Sequence, residues 1–204
     1  MQLQQVRRHA VRGDHEWIAA QAVDCSTASD RCGRLHLIKG DACFELAREG
    51  NAPMAYFSCA VDELSKGLAL IPSWDAPDHQ FRFQEMLCDA LLNLQRLQSG
   101  RTAEQTLAHL EEAAKALYQL SPESVAAVYY LSSARLQQIT PMLPGMTPAT
   151  RLPACHRLRR TVTHVLSLMG KADNQVLPGW DRFADDYQRL AFELGSAMQA
   201  AGCR

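Results

Sequence analysis

Apolar residues recur every three or four positions along most of this chain, and the alternation that marks β-strands is nearly absent. Residues three and four apart share one face of a helix, so that period dictates amphipathic helices and an all-α fold. Asp14 can cap a helix carrying Trp17, Ile18 and Ala20, which fades in the polar break Ser26-Thr27-Ala28-Ser29. Asp30 is the next capping candidate, and Leu35, Ile38, Ala42 and Leu46 then fall on one face. Gly50 and Asn51 both tolerate a left-handed C-cap and stop that helix. Pro53 fits the first turn of its successor, which carries Phe57, Val61, Leu64 and Leu68 and ends before Pro72. A turn at 73–77 leads to a longer helix with Phe83, Met86, Leu87, Ala90, Leu91, Leu94 and Leu97. Thr102 and Gln105 form a capping-box pattern ahead of Leu107, Leu110, Ala114 and Leu117, with Glu111 and Lys115 as an i,i+4 ion pair on the wet face. Ser121-Pro122 opens a helix expected to run to 139.

The pattern changes at 140–153, where Pro141, Pro144, Pro148 and Pro153 accumulate. Interior prolines remove a helix hydrogen bond and clash with the preceding turn, so a long loop and a sub-boundary are expected there. Beyond it, Leu158, Val162, Val165, Leu166 and Met169 define one helix. Trp180, Phe183, Tyr187, Leu190, Ala191, Leu194 and Met198 form the cleanest stripe in the chain. A one-sided stripe must pack on something. A terminal capping role for these helices is the primary expectation, with a partner-docking or homodimerising helix as the other.

Helices in pairs joined by short turns suggest a helical-repeat array. The segment Gly40-Asp41-Ala42-Cys43-Phe44-Glu45-Leu46-Ala47-Arg48 resembles the first helix of a tetratricopeptide repeat (TPR). Ala60, Leu64, Gly67 and Pro72 are similar to the second-helix pattern of small, large, small and terminal proline. Asn93–Arg101, Leu110, Ala113 and Pro122 resemble a second unit, and Ser132 could begin a third. Pro72 and Pro122 are 50 residues apart, where the standard repeat is about 34 long, so the resemblance is to a degenerate, long-helix version. It implies a right-handed TPR-like array of antiparallel helix pairs over residues 1–139, a proline-rich loop at 140–153, and C-terminal helices at 154–204 packed on the array.

Bulk properties exclude several function classes. Net charge is −1, without the cationic surplus that nucleic-acid phosphates demand. The sole basic cluster, Arg151, His156, Arg157, Arg159 and Arg160, reads as a solvated face or a contact for an acidic partner. The N-terminus MQLQQVRRHAVRGDHEW lacks an apolar secretory stretch and no run of about 18 apolar residues is present, so membrane insertion is not expected and the cytoplasm is. Seven cysteines at spacings that fit no CxxC template read as reduced thiols, with Cys43, Cys59 and Cys88 buried as small apolar side chains. Cys32 and His36 stand at i,i+4, with His15 and Cys25 near in sequence; Cys155-His156 with His164 is a second group. Neither completes a zinc ligand set locally, so no metal and no cofactor are expected. No phosphate loop or hydrolase motif occurs, and Asp185-Asp186 reads as wet face, Asp185 pairing with Arg189.

The TPR resemblance implies a non-enzymatic adaptor whose concave groove takes a peptide or amphipathic helix of another protein. Carried over position by position, the groove would comprise Arg34, Leu37, Asp41 and Phe44, then Ala90, Leu94 and Leu97, then Tyr129, Ser133 and Leu136. The alternative is a small-molecule-binding accessory subunit of a larger bacterial-type complex or transporter.

Overall fold

The structure is a computed structural model that describes residues 3–25, 29–71, 74 and 76–203. Regular structure among these residues is helical throughout: α1 (Leu3–Arg12), α2 (His15–Ala20), α3 (Asp30–Arg48), α4 (Pro53–Leu70), α5 (Pro77–Leu97), α6 (Gly100–Leu120), α7 (Val125–Ile139), a 3-10 helix (Thr140–Gly145), α8 (Pro148–Ala172) and α9 (Trp180–Ala200). No helix among them is long and apolar enough to cross a membrane. Pro72, residues 26–28 of the expected 26–29 break, and residues 73 and 75 of the expected 73–77 turn lie outside the described residues.

The chain divides into two compact units, Met1–Thr106 and Leu107–Arg204, and the division falls inside α6. The expected sub-boundary at 140–153 is not where the units part. Residues 140–153 are not a loop either: a 3-10 helix fills 140–145 and α8 starts at Pro148. Thr147 caps α8, its hydroxyl accepting from the Thr150 amide while the Thr150 hydroxyl accepts from the Thr147 amide. Pro148 occupies the first turn, where a missing N–H costs nothing. Pro153 frees only the carbonyl of Ala149, which lies in an exposed turn, so the helix survives it.

The first unit is organised on α3 and α4. Gly33 approaches Gly67, His36 meets Glu63, and Cys43 bonds to Cys59. The rising and falling numbers make the pair antiparallel. Glycine sets its closeness. A Cβ on Gly33 would lie 3.0 Å from the Gly67 carbonyl oxygen, and one on Gly67 would lie 3.0 Å from the Gly33 carbonyl oxygen and 2.6 Å from Leu37. Gly40 meets Leu64 in the same way. The helices thus touch backbone to backbone at Gly33 and Gly67. α1 and α2 cover the outer flank of α3 through Val6, Ile18, Leu35 and Ala42, and His9, stacked on Trp17 at 3.7 Å, bonds to the Asp14 carboxylate at 2.9 Å.

The second unit is organised around α7, of which twelve of fifteen residues are buried, leaving Arg135, Gln137 and Gln138 partly exposed. The α9 stripe packs inward here: Phe183, Tyr187, Leu190 and Leu194 are buried. Tyr129 and Tyr130 of α7 meet the Phe183 ring at 5.0 and 5.9 Å. The Tyr187 hydroxyl donates to the Val125 carbonyl oxygen at 2.8 Å. Burial pushes the Tyr187 phenol well above its usual pKa, with Tyr129 adding to the shift. Four of the seven stripe residues are thus taken up within the unit, while Phe192 on the same helix stays exposed. Arg189 pairs with Asp186 at 3.2 Å rather than with Asp185.

Candidate functional site

The groove positions implied by the resemblance do not line a groove. Leu37, Phe44, Leu94, Tyr129, Ser133 and Leu136 are between 2% and 7% exposed and Ala90 is fully buried. Leu37 packs where Gly67 makes room, Phe44 meets Phe57 edge-on, and Tyr129 sits in the aromatic cluster with Phe183. Arg34 is taken by Asp30 at 2.8 Å. Asp41 is half-buried; burial raises its pKa against the lowering charges of Arg82 and His15. Leu97 alone is well exposed, at 41%. Side chains committed to a close-packed interior cannot receive a partner, because an apolar stripe reads the same whether it faces a groove or a core.

A concave surface does exist, elsewhere. In the second unit a cavity of ≈ 590 Å³ is lined by one face of α8, Ala149, Thr150, Pro153, Ala154 and Arg157, and by Ile139 and the 3-10 helix with Pro141, Met142, Gly145 and Met146. The α8 positions recur at the spacing of a single helix face. Apart from Thr150 and Arg157, the lining side chains are apolar. Met142 is 52% exposed at its mouth.

Charge at this wall is lopsided. α8 carries Arg151, Arg157, Arg159, Arg160 and Lys171 and no Asp or Glu. Arg157 and Arg160 also act on Arg135 of α7. Burial, opposed by Glu111, holds that guanidinium below its usual range, and the two neighbouring arginines push it further down. Glu111 is the carboxylate beside Arg135 and Arg157. Burial resists its ionisation, but hydrogen bonds from Gln138 and Lys115, with the charges of Lys115 and Arg157, hold its carboxyl below the usual range. Its distances are 2.6 Å to Gln138 Nε2 and 3.1 Å to Lys115 Nζ, so the expected Glu111–Lys115 pair is present. Lys115 also pairs with Glu112 at 2.8 Å, so the positive charge beside the apolar hollow comes from the arginines, with Arg157 in its lining.

The cysteines correct the sequence reading. Cys25 bonds to Cys32, Cys43 to Cys59 and Cys155 to Cys203. Only Cys88 is free, and burial, with Glu85 and Asp89 nearby, pushes its thiol well up. Thiols expected to be reduced are thus cross-links, a pairing set by tertiary proximity that spacing along the chain does not show. A scan against protein-family models and a search of curated proteins both returned no match for this chain.

Proposed function

We propose that the protein is a non-enzymatic interaction module. Its docking point is the cavity between the 3-10 helix and α8, and its occupant is an apolar, acidic segment of another protein. The observation that carries this reading is the coincidence of an apolar hollow of ≈ 590 Å³ with a helix of five cations and no carboxylate. Apolar side chains of the segment would fill the hollow while its carboxylates meet Arg157 and Arg160, complementary charge setting orientation and partner choice. The antiparallel α3–α4 pair, with its small residues at the seam, supports a TPR-like helical-repeat ancestry for the scaffold. The three disulfides favour an oxidising compartment over the cytoplasm.

The test uses a labelled amphipathic helical peptide built of Leu and Glu, with its Leu/Lys counterpart as control, read by fluorescence anisotropy. The expected result is saturable binding of the acidic peptide alone, weakened roughly tenfold or more by Arg157→Glu or by Met142→Asp, a loss of about 1.4 kcal/mol or more. Equal binding of both peptides, or binding indifferent to both substitutions, overturns the proposal. A hollow of this size also suits a small ligand, so a long-chain carboxylate that binds while the peptide does not would transfer the site to the accessory-subunit reading.

A further inference from the structure

The first unit holds a second cluster of chemistry-bearing side chains. Sulfur atoms of Cys25 and Cys32 and an imidazole nitrogen of His36 lie within 4.8 Å of one another. Helix α3 places Cys32 and His36 one turn apart on the same face, and Ser29, capping that helix, accepts from the Cys32 amide at 3.2 Å. The disulfide to Cys32 brings Cys25 to the same point. From across the α3–α4 seam, Glu63 engages His36 Nδ1 through Oε2 at 2.5 Å, and its Oε1 meets Lys39 Nζ at 3.3 Å. Cys32, His36 and Glu63 are buried, while Cys25 is half-buried and leaves a way in.

A disulfide that only braces the chain needs neither an imidazole beside it nor a buried carboxylate to orient that imidazole. Burying Glu63 with His36 and Lys39 is costly against an apolar seam, so the arrangement calls for a purpose. Glu63 on Nδ1 holds the ring in place and leaves Nε2 as the nitrogen open to a metal. That is the carboxylate–histidine arrangement that supports a metal-bound imidazole. Two thiolates and an imidazole make a three-ligand set for zinc, with a fourth position for water. Cys25–Cys32 also closes the shortest loop of the three disulfides, 7 residues against 16 and 48. By loop entropy it therefore contributes least to the fold, and opening it costs the chain least.

We propose that Cys25, Cys32 and His36 form a redox-gated site for a zinc-class divalent cation, with Glu63 as the positioning residue. In the disulfide state the sulfurs are bonded to each other and the site is closed. A dithiol reductant delivers two electrons and two protons, breaks the S–S bond and leaves as its own disulfide. The two thiols then lose their protons to solvent as S–metal bonds form, and Nε2 of His36 supplies the third bond. Two-electron reoxidation by a disulfide oxidant re-forms Cys25–Cys32 and releases the cation.

The test titrates Zn²⁺ into the full chain against a chromophoric chelator, in the disulfide form and after anaerobic reduction with a phosphine, which is converted to its oxide. The expected result is one tightly held Zn²⁺ per chain in the reduced form that the disulfide form does not hold. Cys25→Ser, at the half-buried edge of the site, should abolish it with the helical circular dichroism unchanged. Glu63→Gln should weaken it by about ten- to a hundredfold. The double substitutions Cys43→Ser/Cys59→Ser and Cys155→Ser/Cys203→Ser should leave it in place. Replacement by Co²⁺ should give the visible spectrum of a four-coordinate thiolate site. No Zn²⁺ after reduction, equal binding in the disulfide form, or binding that survives Cys25→Ser overturns the assignment.

Discussion

The two units treat the same residue in opposite ways. In the first, the helix glycines Gly33, Gly40 and Gly67 each face a neighbour so close that a methyl group would collide with it. In the second, Gly170 and Gly195 also lie within helices, and nothing stands within 4 Å of where their Cβ would be. The first unit thus gains stability from backbone proximity. The second gains it from large side chains, Tyr129, Tyr130, Phe183 and Tyr187, filling the space around α7. A helical glycine is informative only through what it faces.

The largest expected effect probes what ties the second unit's end down. The Cys155–Cys203 bridge spans 48 residues, so replacing both cysteines with Ala should cost about 4 kcal/mol in chemical denaturation by loop entropy. Removing Cys43–Cys59, across 16 residues, should cost about 3 kcal/mol. Equal losses would show that loop length does not govern them. Gly67→Val should cost the first unit about 3 kcal/mol, because Leu37 and the Gly33 carbonyl cannot both yield. Tyr187→Phe should cost about 1 kcal/mol through its lost hydrogen bond to Val125. Its pH dependence has a fixed sign. The folded phenol titrates above the unfolded value, so the contribution is fully present below about pH 10. It is lost as pH rises toward the folded value; the wild type should lose stability there faster than Tyr187→Phe. Smallest, and opposite in sign to Gly67→Val, Gly170→Ala and Gly195→Ala should each stabilise by about 0.5–1 kcal/mol in thermal melts. A destabilising Gly195→Ala would break the contrast between the units.

What was legible in the sequence follows the range of each interaction. Helix identity was legible because period is local. Gly33 was not singled out, since its partner lies across a tertiary seam. Cys32 and His36 stood out at one-turn spacing, but Glu63 comes from the next helix and Cys25 from before α3, which spacing does not encode. The groove assignment failed at Leu37, Tyr129 and Leu136 because apolar character marks burial without saying against what. Prolines at 140–153 signalled irregularity correctly in kind. They could not show that Pro141 and Pro148 sit in first turns, where they start helices rather than break them.

Met142 and Met146 line the cavity and are two of seven methionines in the chain. Methyl-labelled methionine spectra, recorded while the acidic amphipathic peptide is titrated, report on the site directly. The account predicts that the Met142 and Met146 methyl signals shift saturably while those of Met54 and Met86, in the first unit, stay fixed. Shifts confined to Met54 or Met86, or no shift at saturating peptide, would contradict it.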